Sequence, residues 1–387
     1  MIKEVTNLTQ DLRQELIEIS EYIFENPELG NEEFKACKAH VDILKKHGFE
    51  VEEEYLGIKT AFKAVFDSGK KGPTISYLSE YDALPGIGHG CGHNLLGTTN
   101  TGAGIVLSKL IKDLKGKVIV FGTPAEETNG AKVDMTLKGA FDDIDIAMEV
   151  HPGSKHYKSG ASLAMEAIQF TFKGKPAHAA ASPEKGINAL DAAINTFVNI
   201  NALRQHIQST ARIHGIIKEG GKAANIVPDL AVAQFYVRAT TKTYLNELVD
   251  KVKNCAKGAA LATGAELEII NYELSYDNLV TNQALLDTYC KRILDMGVEE
   301  IHDSKSSYGS LDIGNVSHVV PTIHPYFGIC EEDIPAHTVE FAQATKTKMA
   351  YDSMIQTIGA LVLTAIDILQ NDELLDRIWE EFKNTDK

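Results

Sequence analysis

Three apolar runs, Thr74–Ser79, Val118–Phe121 and Ile144–Val150, each end on residues of the kind that bind metals. The first leads into Glu80-Tyr81-Asp82 and, a few residues later, into His89, Cys91 and His93. The second leads into Gly122-Thr123-Pro124-Ala125-Glu126-Glu127, and the third into His151-Pro152. Helical stretches separate them, one of small residues around Thr101–Leu114 and one around Ala131–Gly139. Apolar strands alternating with helices predict an α/β core with a mixed, largely parallel sheet flanked by helices. In such sheets, ligands bind in the crevice beyond the carboxyl ends of the strands. Three such ends carrying Cys, His and Glu converge on one place, so one pattern constrains fold and site together.

Thiolate, imidazole and carboxylate together suit zinc or a similar first-row cation. A thiolate can bridge two cations, whereas a neutral imidazole nitrogen offers one lone pair, so Cys91 is the better bridge and His93 a terminal ligand. The glycines around them (Gly86, Gly88, Gly90, Gly92) allow the tight turn that such ligands need. They match neither of the glycine-rich phosphate-binding patterns, which argues against a nucleotide site. Taken alone, Gly90–Asn94 reads equally well as a glycine-rich loop with a buried thiol. Side chains of the adjacent Glu126 and Glu127 diverge on a turn, so one can bind a cation while the other faces the water and acts as general base. His151 before Pro152 is by itself only a strand-ending pair. Asp82 is placed either to orient a histidine ligand or to cap a turn. A further histidine comes from the C-terminal part, His324 within Pro321–Phe327 or His337 within Pro335–Thr338, and the residues themselves leave that choice open.

At 387 residues the chain exceeds what one core usually sustains. It opens on an amphipathic helix (Leu8, Leu12, Leu16, Ile19, Ile23) that Asn26-Pro27 stops. A second helix follows from Asn31, as its cap, to His47. Near residue 163 the pattern changes to strand, helix, two strands, helix, strand, a compact α+β unit. After Tyr276 the α/β character returns and closes on one long helix around Ala342–Leu369. The expected organisation is a catalytic domain in two parts, 1–163 and 277–387, with an inserted α+β lid or dimerisation domain at 164–276.

The formal charge of −16 argues against nucleic acid and anionic membrane surfaces as partners. Nothing behind Met1 reads as a signal core, and no uninterrupted apolar run approaches a membrane span. Five scattered cysteines without a CxxC pair fit a reducing compartment, and a cytoplasmic location is expected.

Taken in order, Asn26-Pro27-Glu28-Leu29-Gly30 with Glu33, Tyr81-Asp82-Ala83-Leu84-Pro85, Cys91-Gly92-His93, Pro124-Ala125-Glu126-Glu127 and His151-Pro152 resemble the M20 metallopeptidases. The resemblance is to the branch of hippurate and indoleacetyl-amino-acid hydrolases. Gly174–Ala180, Asn225–Asp229, Ser310–Ser317 and His337–Phe341 extend it over nearly the whole chain, towards the subgroup of aminobenzoyl-glutamate hydrolase and dipeptidase-like proteins. It implies a zinc-exopeptidase-like fold and two divalent cations per subunit, zinc first, with manganese, cobalt or nickel as alternatives. The implied ligands are Cys91, His93, Glu127, His151 and His337, with Glu126 as base. His324 is left on the substrate side, and His178 and Asn225 hold the substrate or the oxyanion. The implied substrate is a small molecule with an amide bond and a free carboxylate, cleaved as an N-acyl or aminoacyl amino acid or, alternatively, as a dipeptide. A homodimer or higher homo-oligomer through the inserted domain goes with it. Ser79-Glu80-Tyr81-Asp82 departs from the Ala-Asp-Met-Asp of the commoner hydrolases of this branch.

Overall fold

The computed structural model describes residues 1–112, 114–304 and 309–387. Asp113, at the expected end of the small-residue helix, lies outside them. The chain begins with α1 (Ile2–Glu25) and α2 (Phe34–Lys46). Strands β1 (Glu50–Glu53), β2 (Phe62–Asp67) and β3 (Thr74–Ser79) precede α3 (His93–Ile111), β4 (Lys117–Gly122) and α4 (Ala131–Leu137). Two short strands follow, β5 (Ile146–Met148) and β6 (His151–Gly153). Next come β7 (Ala164–Lys173), α5 (Ala189–Leu203), β8 (Arg212–Glu219), β9 (Leu230–Ala239), α6 (Lys242–Thr263) and β10 (Glu266–Asn271). The remainder comprises α7 (Gln283–Asp295), α8 (Ile313–Ser317), β11 (Thr322–Ile323), β12 (Tyr326–Gly328), α9 (Val339–Ala344), α10 (Lys348–Gln370) and α11 (Asp372–Asn384).

Two compact units share these elements. Unit 1 takes residues 1–161, 279–304 and 311–386, and unit 2 takes 162–278 with Gly309, Ser310 and Lys387. In unit 1 the sheet order is β1-β2-β4-β3-β5-β11. β4, β3, β5 and β11 run parallel, while β2 joins β4 and β1 joins β2 antiparallel. Both faces are covered, as a parallel sheet requires. The alternation along the strands shows it. Ile75, Tyr77, Val118 and Val120 join a core with Leu95, Ile105 and Ile358, whereas Leu78, Ile119 and Phe121 pack with Met135 and Ile313 on the other side. Because β4, β3 and β5 are neighbours running in one direction, the residues that follow them emerge along one edge.

Unit 2 is a four-stranded antiparallel sheet, β10-β7-β9-β8. Its core forms where Ile168, Phe170, Phe172 and Phe235 of the sheet meet Ala192, Ala193 and Ile200 of α5 and Leu248, Val249 and Val252 of α6.

Three elements differ from the sequence expectation. α3 starts at His93, not near Thr101; every residue in it except Lys109 is buried, and burial outweighs the poor helix propensity of its Thr, Asn and Gly residues. Asn31 does not cap α2. Its backbone is left-handed and its side-chain amide donates to Asn129, so α2 begins at Phe34 without a side-chain cap. The single closing helix is instead α9 and α10, because Thr347 accepts from the Ala350 N–H and starts a new helix, and α11 follows behind the Asn371 cap. α10 is long and apolar enough in composition to cross a membrane, but 83% of its most apolar window is buried in the protein, the setting of a core helix.

Candidate metal centre

β3 delivers Glu80 and Asp82, both buried. The chain then turns through Gly92, whose left-handed backbone (φ +84) caps α3 and places Cys91 and His93 on either side of a sharp bend. His93 Nδ1 lies 2.9 Å from Asp82 Oδ1 and 3.1 Å from the Asp82 carbonyl oxygen. Both Asp82 atoms only accept, so Nδ1 carries a proton and Nε2 faces the site. Burial alone would lower the His93 pKa, but the Asp82, Cys91 and Glu80 charges hold it well above its ordinary value, so a cation bound at Nε2 displaces a proton. Asp82 also fixes the next strand end, since its Oδ2 accepts from the Glu127 N–H at 2.9 Å. One aspartate therefore sets both a histidine and a glutamate.

β4 leads through Ala125, which is left-handed at φ +63 although it is not glycine. Its N–H donates to Glu33 Oε1 at 2.8 Å, and Glu33 Oε2 accepts from the Thr60 hydroxyl at 2.9 Å. This fully buried carboxylate holds the bend from which Glu126 and Glu127 diverge. Burial, with the Asp82 charge adding to it, pushes the Glu33 carboxyl up to about 7.

β5 and β6 bring His151, with Nδ1 2.7 Å from the Pro152 carbonyl and Nε2 3.4 Å from Cys91 Sγ. Nδ1 is thus the donor and Nε2 again faces the site. His337 comes from the segment before α9, in a left-handed backbone conformation whose N–H donates to the Gly90 carbonyl at 2.8 Å. Its Nε2 lies 3.2 Å from Glu127 Oε1.

Donor atoms thus gather in two groups, each within 4.8 Å: Cys91, His93 and His151, and Cys91, Glu127 and His337. Cys91 belongs to both. A third group joins Glu80, His93 and Glu126. His93 Nε2 and Glu80 Oε2 are buried without a hydrogen-bond partner among the described residues. Imidazole Nε2, carboxylate oxygen and a thiol that can ionise are the donors of a divalent first-row cation, and atoms left unpaired in a buried site fit that occupant. Burial pushes the Cys91 thiol up, with His93 opposing; a bound cation reverses that and holds the thiolate. Burial, reinforced by Glu80 and Asp312, likewise raises the Glu126 carboxyl well above its ordinary range.

The remaining residues of interest fall elsewhere. His324 is buried, its ring 5.6 Å from that of His151 and its Nε2 3.3 Å from Glu149 Oε1. His178 and Asn225 are exposed residues of unit 2 on paired segments, where the Ala179 N–H donates to the Asn225 carbonyl at 3.0 Å. Sequence reasoning missed Lys132. It is fully buried, with Nζ 2.5 Å from Glu80 Oε1, 2.6 Å from Asp312 Oδ1 and 3.5 Å from Glu149 Oε2. A lysine in a short helix gives no signal of burial, but Glu149 directly after the apolar, buried strand Ile146–Met148 does.

Residues 164–263 match the family model described as the peptidase dimerisation domain. The Xaa-Arg dipeptidase of Mus musculus is 36% identical, over 94% of this chain and 88% of that protein. The chain belongs to the M20 peptidase family. Another relative, one of the subunits of the p-aminobenzoyl-glutamate hydrolase of Escherichia coli (strain K12), is 27% identical over 95% of this chain and 92% of its own length. Among solved structures, the dinuclear metal-binding M20 peptidase of Bacillus subtilis superposes with a TM-score of 0.67 at 20% identity. That match covers 92% of this chain and 99% of that one, and it shows the shared fold. The M20 fold, the hydrolase class and a centre built for a divalent cation therefore stand together in this protein.

Proposed function

We propose that this M20 hydrolase uses two divalent cations, zinc first, to cleave the amide bond of a dipeptide or other aminoacyl amino acid with a free carboxylate. The observation that carries the reading is the pair of donor groups sharing Cys91, with Glu126 beside them. Cys91 would bridge, His93 and His151 would hold one cation, and Glu127 and His337 the other. When bound, the cations supply Lewis acidity and bring the pKa of a water towards about 7. Glu126 takes the proton of the attacking water and passes it to the leaving nitrogen; burial raises its carboxyl in the metal-free protein, and the positive charge of bound cations would favour the ionised form that a base needs. Asp82 keeps His93 and Glu127 in register throughout. His178 and Asn225 are proposed to hold the substrate or the oxyanion, and His324, buried beside His151, to shape the substrate side.

The name of the 36% identical relative supports the dipeptide reading, with a basic C-terminal residue as the first choice. The aminobenzoyl-glutamate hydrolase supports the second, an N-acyl amino acid. We further propose a homodimer through unit 2, supported by the dimerisation-domain match and by the edge strand β8, where Ile216 is 60% exposed. Cys91 must stay reduced to bind a cation, which supports a cytoplasmic location.

The test is a metal-replete panel of Xaa-Arg and Xaa-Lys dipeptides, N-acyl amino acids and aminobenzoyl-glutamate, run with wild type and Glu126→Gln. The variant should keep its metal and lose roughly 10²–10⁴-fold in kcat. Wild-type turnover in Glu126→Gln removes the base assignment, and preference for blocked amino termini moves the substrate class to the N-acyl amino acids.

A further inference from the structure

The five ligands proposed above leave Glu80 without a role. Its side chain is 2% exposed, and its two oxygens have different surroundings. Oε1 accepts from the buried Lys132 ammonium at 2.5 Å. Oε2 has no hydrogen-bond partner among the described residues and lies 3.1 Å from His93 Nε2, with which it forms an ion pair when the imidazole is charged. His93 Nδ1 is engaged by Asp82, so Nε2 is the atom left to bind a cation. Two buried donor atoms therefore face one another across a gap that a proton or a cation can bridge. Ligand bonds of roughly 2.0–2.2 Å from one cation place neighbouring donors roughly 3–3.5 Å apart, depending on the coordination number, a range that takes in the 3.1 Å seen here.

We propose that Glu80 is a further metal ligand: its Oε2 shares one divalent cation with His93 Nε2, and Lys132 grips Oε1 to aim it. Lys132 is a positioning residue in this arrangement. Its ammonium is itself anchored by Asp312 at 2.6 Å and lies 3.5 Å from Glu149, so the carboxylate it holds cannot swing away. Glu126 completes the same donor group within 4.8 Å, and a cation held by Glu80 and His93 therefore faces the proposed base. The assignment rests on the metal-hydrolase reading above.

The experiment strips the full-length protein of metal and titrates it with Co²⁺, for wild type and Glu80→Gln. It follows affinity by chelator competition and coordination by the visible absorption bands. Wild type should take two equivalents. Glu80→Gln should bind one of them at least about tenfold more weakly and show stronger d–d bands from a lower coordination number. Its thiolate-to-cobalt band should remain, since Cys91 is untouched. A carboxylate that only balances Lys132 would change the stability of the metal-free protein and leave these bands alone. A folded Glu80→Gln that binds two equivalents with wild-type affinity and an unchanged spectrum overturns the assignment. Should Glu80→Gln fail to fold, Glu80→Asp keeps the charge opposite Lys132 and is judged by the same two readings. If wild type itself takes up no Co²⁺, it is the metal-hydrolase reading that falls.

Discussion

Glu33 shows how a residue remote from the chemistry can govern it. It reaches neither donor group, yet it holds the left-handed Ala125 peptide from which Glu126 and Glu127 spring. Its carboxyl titrates near 7 in the folded protein against an ordinary 4.5. A carboxyl whose pKa is raised by folding leaves the folded state with more bound protons than the unfolded one between those values. Stability is therefore fully present below about 4.5 and declines as pH rises through about 7. At about 1.4 kcal/mol per pH unit, the whole effect is of order 3 kcal/mol. Glu33→Gln keeps an oxygen for the Ala125 N–H and cannot ionise. Its stability relative to wild type should therefore improve as pH rises from 4.5 to 7, by up to about 3 kcal/mol. Urea unfolding at pH 5 and pH 7.5, in chelator, reads the difference; parallel pH profiles for the two proteins would show that Glu33 is not buried as a proton-binding group.

At the scale of elements, the centre depends on how strands and helices begin and end. Gly92 needs its left-handed φ to start α3 between Cys91 and His93, and a methyl group there would sit 2.5 Å from Pro152 Cγ. Gly92→Ala should therefore cost about 1–3 kcal/mol in the metal-free protein and weaken metal binding as well. Thermal unfolding and a metal titration check it, and wild-type values for both would mean the bend is not strained. The edge strand β8 makes the second case: Ile216→Lys should shift the assembly to monomer while leaving metal content unchanged, as light scattering and metal analysis would show. A variant that stays dimeric places the contact elsewhere.

These elements also mark what the sequence could reveal. Residues following β3, β4 and β5 were legible because strand periodicity is local and parallel neighbours share an edge. Which of His324 and His337 lies beside Glu127 was not, because that depends on a contact from His337 to Gly90 across the fold. Lys132 and the break before α10 were hidden for the same reason: a buried ammonium is set by three carboxylates distant in sequence, and a helix start by one threonine hydroxyl.

At the scale of the molecule, all the donors of the candidate centre lie in unit 1, while unit 2 has its own apolar core. Binding to the folded state stabilises only what the ligands belong to, by about 4 kcal/mol at a metal concentration 1,000-fold above Kd. A domain of this size should then melt roughly 10 °C higher. Differential scanning calorimetry of the full chain should show two transitions, of which only the one from unit 1 moves between chelator and metal. A fragment of residues 162–278 should fold alone, and its melting should be indifferent to metal. One transition that moves as a whole, together with an unfolded fragment, would show that unit 2 draws its stability from unit 1. The metal would then be a fold-wide ligand and not a local one.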